Sequence, residues 1–204
     1  MIKFFIQIKS LIIRFRSFSF YSIVCFCLAS VSFAGDVLRL NVNGKNSGVV
    51  DILLNTKQAP EHVKRIKILT GEKQYDGVVF HRVIAGFMAQ TGDVKFGNIN
   101  TFDSSLVGMG GSDYPMLKAE FSNLEFRRGT VGMARSRDPN SANSQFFIMF
   151  EPAPHLDGKY TVIGEVINGI DTVLNIKKGS AANNGAVVSP DYILTAEIIK
   201  IEDK

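Results

Sequence analysis

The sequence predicts a mainly β protein: a closed or nearly closed antiparallel barrel with two helices covering its open ends. Three features predict it. After residue 34, short apolar runs alternate with clusters of Gly, Asn, Asp or Pro; only two segments carry helical spacing; and the regular strand–helix–strand alternation of a parallel sheet is missing. Taken in order, 37–42 and 48–54 read as a strand pair joined by Asn43-Gly44, residue types that accept the positive φ angles of a tight hairpin. Pro60 suits a first helical position because its missing N–H would be unpaired there anyway, and Val63, Ile66 and Leu69 form an apolar stripe that ends at Gly71. Further strands are expected over 78–84, 87–91, 130–134, 145–150, 161–166 and 193–201, with a second helix over 170–177. Residues 98–118 form a long irregular stretch around Gly108-Met109-Gly110-Gly111. This glycine cluster is no P-loop, since it lacks the Lys-Ser or Lys-Thr ending and runs into no helix.

The first 34 of the 204 residues read as a Sec-type signal: a basic start, an apolar stretch from Phe18 to Phe33, and small residues at Ser32 and Ala34 that place cleavage after Ala34. An uncleaved membrane anchor is the alternative, but serines interrupt the apolar run, which is shorter than the ~20 residues a spanning helix needs. Lys3, Lys9, Arg14 and Arg16 account for the whole net charge of +4: without these four of the 23 basic residues, the rest balance the 19 acidic ones. No argument for a nucleic-acid partner is left. Both cysteines, Cys25 and Cys27, fall inside the signal, so residues 35–204, read as one domain, offer no thiol catalyst, zinc-thiolate site or disulfide.

Period-two alternation over 78–84 puts Arg82 on one face with Phe80 and Ile84. A guanidinium among apolar neighbours either pairs with a carboxylate or is held in a groove for work, and this strand alone favours the ion pair. The following strands reverse that preference. Met88 shares a face with Gln90, and Gln145 with Phe147 and Met149, which together offer an apolar slot, amide hydrogen-bonding groups and one permanent cation. Such a site suits a neutral, partly apolar substrate with a carbonyl to be held.

Three ordered blocks then carry a resemblance. Residues 80–93 (FHRVIAGFMAQTGD), 129–134 (GTVGMA) continuing to 143–148 (NSQFFI), and 156–164 (LDGKYTVIG) closely resemble the signature segments of cyclophilin-type peptidyl-prolyl cis-trans isomerases, and the likeness runs from about Val37 to the C-terminus. The resemblance implies a closed eight-stranded antiparallel β-barrel capped by two α-helices, isomerase activity on X-Pro bonds, and no cofactor or metal. It implies catalytic roles for Arg82, Phe87 and Gln90. It also implies a proline pocket lined by Phe87, Met88, Phe147 and Leu156 with Tyr160 at its edge. Gln90 and Gln145, with the backbone of Ala134, Arg135 and Ser136, would hold the substrate main chain. Gly108 would wall an adjoining pocket, and His155 would stand at the rim.

The partners expected are proline-containing polypeptides undergoing folding after export, met by a monomer in a periplasm; a secretory lumen is the other destination a signal allows. The sequence departs from well-studied eukaryotic cyclophilins at His155, where they carry tryptophan, and at Tyr160, where they carry histidine; the chain has no tryptophan at all. That tryptophan serves chiefly cyclosporin binding in the family, so weak binding of the drug is expected. Arg135 stands where those relatives have asparagine, making the rim more basic, and the loop from Ser136 to Asn143 is slightly longer. His81 is expected to be a hydrogen-bonded structural residue that steers Arg82, because the reaction moves no proton; His62, on the first helix, is expected to face solvent. A non-catalytic peptide-binding chaperone of the same fold is the alternative, against which the retention of Arg82, Phe87, Gln90 and Phe147 argues. A lipocalin-type ligand carrier would lack the three blocks.

Overall fold

A computed structural model describes residues 35–201; the expected signal segment lies outside the described residues. Eight strands, β1 (Gly35–Asn43), β2 (Gly48–Leu54), β3 (Arg82–Ile84), β4 (Met88–Thr91), β5 (Thr130–Met133), β6 (Phe146–Met149), β7 (Val162–Asn168) and β8 (Tyr192–Ile201), form one antiparallel sheet in the order β3-β4-β6-β5-β7-β2-β1-β8. Two helices, α1 (Pro60–Gly71) and α2 (Ile170–Asn175), accompany it.

The fold is the expected mainly β one, but the sheet is open where a closed barrel was expected. β3 and β8 are its edges and share no ladder. The chain before β3 instead spends its backbone groups on several partners: Val79 N–H donates to Gly97 O, Phe80 N–H to Asp191 O, and Val187 N–H to His81 O. This is why the strand expected over 78–84 shortens to three residues. The expected alternation fails with it, because Phe80 enters the central core beside Val83 while Ile84 packs against a second apolar cluster on the outer face.

The central core is built from alternate residues of each strand, among them Leu38, Leu40 and Val42 of β1, Val50, Ile52 and Leu54 of β2, and Phe146 and Ile148 of β6, closed over by Val63, Ile66 and Leu69 of α1 and Val173 of α2. The same pleat sends Met88, Phe147 and Met149 outward, where they cluster with Phe126, Ala153, Leu156 and Val162. Strand β6 is therefore apolar on both faces, and β4 carries Met88 and Gln90 outward, one side serving stability and the other building a pocket.

Three local expectations change for tertiary reasons. The turn after β1 is wider than a two-residue hairpin, because buried Asp191 draws in the Lys45 N–H (2.7 Å). α2 stops at Asn175 because Ile176 turns extended to bury its side chain, and Lys177 N–H donates to Asp191 (2.9 Å). His62 is fully buried instead of facing solvent. α1 has no side-chain cap of its own. Glu120, from the long loop, takes that role: its carboxylate accepts the N–H groups of Glu61 (3.2 Å) and His62 (3.1 Å), and its Oε2 lies 2.6 Å from His62 Nδ1.

Candidate active site

One register row across four strands assembles the site. Arg82 of β3 stands opposite Gln90 of β4, Gln90 opposite Phe147 of β6, and Phe147 opposite Gly132 of β5. Paired residues in a sheet share a face. A cation, an amide, an aromatic ring and a gap thus lie in sequence along one outer surface.

The gap is essential to the ring. A Cβ on Gly132 would lie 2.6 Å from both Phe126 and Phe147, so only glycine lets these two rings stack at 5.7 Å and 23° beneath the surface. Tyr160 closes the side, edge-on to Phe147 at 5.8 Å. The result is an apolar pocket of about 180 Å³ lined by Phe87, Met88, Phe147, Leu156 and Tyr160, with Arg82, Gln90, Ala134 and Arg135 on its polar side.

Arg82 is half-buried and has no carboxylate partner among the described residues, so the ion-pair reading of this arginine fails. Its guanidinium donates to neutral oxygens instead: Nη1 to Gln90 Oε1 (3.1 Å), Nε to Asn184 O (3.0 Å) and Nη2 to Asn184 Oδ1 (3.0 Å). Burial lowers its pKa, yet a guanidinium stays protonated at any working pH. The amides continue in one direction: Gln90 Nε2 donates to Gln145 Oε1 (2.9 Å), and Gln145 Nε2 donates to the carbonyls of Gly108 (3.0 Å) and Gly110 (2.8 Å). Since Gln90 turns its oxygen to the cation, the donor and acceptor order of the whole chain is set.

Gly108 and Gly110 are held in turn by Asp93, whose Oδ2 accepts their N–H groups at 2.7 and 2.9 Å. They wall a second cavity of about 430 Å³ that Ser136 and Gln145 also line, and Gln90, Ala134 and Arg135 border both cavities. Arg135 folds over the Tyr160 ring (4.2 Å) and donates to the carbonyls of Lys159 (2.9 Å) and Ser136 (2.9 Å).

Of the residues singled out from the sequence, Arg82, Phe87, Met88, Gln90, Ala134, Arg135, Phe147, Leu156 and Tyr160 meet at the first cavity, and Gly108, Ser136 and Gln145 at the second. His155 lines neither; it stacks on Phe87 (5.8 Å, 27°) from outside. His81 departs from its expected role: it is buried behind Gly108, and neither ring nitrogen has a hydrogen-bond partner among the described residues. Burial lowers its pKa to about 4, against the pull of the Asp93 carboxylate, so the ring is neutral near pH 7. Sequence reasoning missed Phe126, Asp93 and Asn184. Asn183-Asn184-Gly185 signals a turn, but nothing in the sequence says that the turn reaches Arg82.

An apolar slot beside a row of oriented amides and two guanidinium groups, Arg82 and Arg135, that lack carboxylate partners among the described residues suits a neutral polypeptide. Comparison with known proteins agrees. The family model for cyclophilin type peptidyl-prolyl cis-trans isomerases matches residues 37–198. A probable peptidyl-prolyl cis-trans isomerase of Brucella suis is 62% identical over 152 residues, covering 74% of this chain and 78% of that one. The crystal structure of a Cryptosporidium parvum cyclophilin type isomerase superposes with a TM-score of 0.68 at 27% identity, covering 82% of this chain and 98% of that one. A further structure of that protein, in the presence of the dipeptide Ala-Pro, gives 0.66 at 27% identity, covering 82% and 99%. The chain belongs to the cyclophilin-type peptidyl-prolyl cis-trans isomerase family and interconverts the cis and trans forms of X-Pro bonds.

Proposed function

We propose that Arg82 lowers the rotation barrier of an X-Pro bond whose proline ring sits in the pocket over Phe147. The bond turns slowly because nitrogen donates its lone pair into the carbonyl, giving a barrier of ~18–20 kcal/mol. In the twisted state the nitrogen pyramidalises and its lone pair becomes a hydrogen-bond acceptor. An Arg82 N–H aimed there stabilises the twisted state and not the planar ground state, so no covalent bond forms and no proton moves. Uncatalysed isomerisation takes tens of seconds; reaching ordinary enzyme turnover requires on the order of 3–7 kcal/mol of such differential stabilisation.

The observation that carries this reading is the register row Arg82–Gln90–Phe147–Gly132, which fixes the cation at one end of the apolar slot. Met88, Phe87, Leu156 and Tyr160 exclude water from the ring, while Gln90, Gln145 and the backbone of Ala134, Arg135 and Ser136 hold the substrate's main chain. The presence of Ala-Pro with the Cryptosporidium relative supports a site that takes an X-Pro unit. In a protease-coupled assay on a proline-containing tetrapeptide, Arg82→Ala is expected to lose about 10²–10³-fold in kcat/KM. Equal rates for variant and wild type would remove Arg82 from the mechanism.

The clients are exported polypeptides, which the enzyme meets as a monomer after residues 1–34 direct it to the periplasm and are removed. Mass spectrometry of the periplasmic protein should find Gly35 at its N-terminus; an intact chain in the membrane fraction would point to an anchor.

A further inference from the structure

We propose that Asn184 is a positioning residue for Arg82: it holds the guanidinium by neutral acceptors, fixing its direction without cancelling its charge. The inference rests on the reading of Arg82 above.

Asn184 accepts from two neighbouring nitrogens along one edge of the guanidinium, its main-chain oxygen from Nε and its Oδ1 from Nη2, both at 3.0 Å. With Gln90 on Nη1, all three nitrogens are engaged, so the plane of the group cannot turn about its last bonds. One N–H on each terminal nitrogen remains to face the pocket that Arg82 lines. The usual bidentate partner of an arginine is a carboxylate. A carboxylate here would hold the plane equally well, but its charge would weaken the field that the remaining N–H groups present to an amide nitrogen. The amide avoids that loss.

The loop that carries Asn184 is set by its own backbone. Val83 N–H donates to Gly185 O (2.8 Å), Gly179 N–H donates to Val83 O (2.9 Å), and Ser180 and Ala186 form a bridge, so residues 179–186 are stitched onto β3. Gly185 has φ +81°, and a Cβ there would lie 2.5 Å from Ile84. Asn184 itself is left-handed (φ 50°, ψ 34°), a conformation that Asn tolerates better than most residues and Gly adopts freely. Asn184→Gly therefore keeps the loop and the main-chain acceptor while deleting Oδ1; Asn184→Asp keeps Oδ1 and adds a charge.

The test combines steady-state kinetics on an X-Pro peptide with ¹⁵N NMR of the Arg82 side chain, with amide spectra confirming the fold. In the wild type, the two Nη signals should be separate because rotation about Nε–Cζ is slow. Asn184→Gly should merge them and lower kcat about tenfold with KM within about twofold. Asn184→Asp should keep them separate and still lower kcat about tenfold, which a purely structural role does not predict. Averaged Nη signals in the wild type, or wild-type kcat in either variant, would overturn the proposal. Averaged wild-type signals overturn the proposal even if a variant does not fold. Should Arg82→Ala retain full activity, the reading of Arg82 fails; should Arg82→Ala be inactive while Asn184→Gly keeps wild-type kcat, only the role of Asn184 fails.

Discussion

Arg82 and His81 are neighbours in the chain with opposite electrostatic fates. The guanidinium is half-buried among carbonyl oxygens, which solvate it without neutralising it. The imidazole is buried and neither nitrogen has a hydrogen-bond partner among the described residues, so burial outweighs the nearby Asp93 carboxylate and the ring stays neutral. Its folded pKa of about 4 lies below the ordinary 6.5. A depressed pKa means that the unfolded chain binds the proton more readily, so the native state is favoured above pH 6.5 and loses that advantage as pH falls from 6.5 to 4. The whole effect is on the order of 3 kcal/mol. Urea unfolding at pH 7 and at pH 4 should show a smaller drop in His81→Leu than in wild type by about that amount. Equal drops would mean that His81 finds a proton acceptor in the folded protein. Neighbouring positions in one short motif thus do unrelated work, and only burial distinguishes them.

At the scale of the element, the site depends on strands having two useful faces. β4, β5 and β6 give Ala89, Val131, Met133, Phe146 and Ile148 to the central core, and Met88, Gln90 and Phe147 to the pocket. Gly132 sits where the pocket floor needs room for Phe126. Gly132→Ala should therefore lower stability by about 1–3 kcal/mol through overpacking and raise KM, because Phe147 must tilt into the proline site. A variant with wild-type stability and KM would show that the floor can yield. The pairing of Met88 with Gln90 was legible from alternation because β4 is regular there, and Gln145, one residue before β6, joins the same side through its hydrogen bond with Gln90. The face shared by Arg82 and Phe80 was misread because residues before β3 bond to separate loops, which no periodicity records. His62 was misread for a like reason: the carboxylate that draws it inward comes from Glu120, far along the chain.

The whole molecule uses its long loops as structure. The stretch expected to be irregular is anchored at its middle by Asp93 on Gly108 and Gly110, which keeps the second cavity's wall in place, and beyond it Glu120 caps α1. At the opposite rim, His155 stacks on Phe87 and Arg135 covers Tyr160, so no indole is available to a large cyclic ligand. Inhibition by cyclosporin should accordingly be weak while X-Pro peptides are turned over; a low-nanomolar inhibition constant would contradict this. The strand pattern, the first helix and the three motif blocks made the fold class, the family and nearly every pocket residue readable in the chain, since period and local turn chemistry are properties of neighbouring residues. The opening of the sheet between β3 and β8, the burial of His62 and His81, and the grip of Asn184 on Arg82 depend on groups far apart in the chain, 58 positions for His62 with Glu120 and 102 for Arg82 with Asn184, or on burial alone. Such pairings exist only once the chain has folded, because long-range contacts follow from how the elements pack and not from the preferences of any one of them.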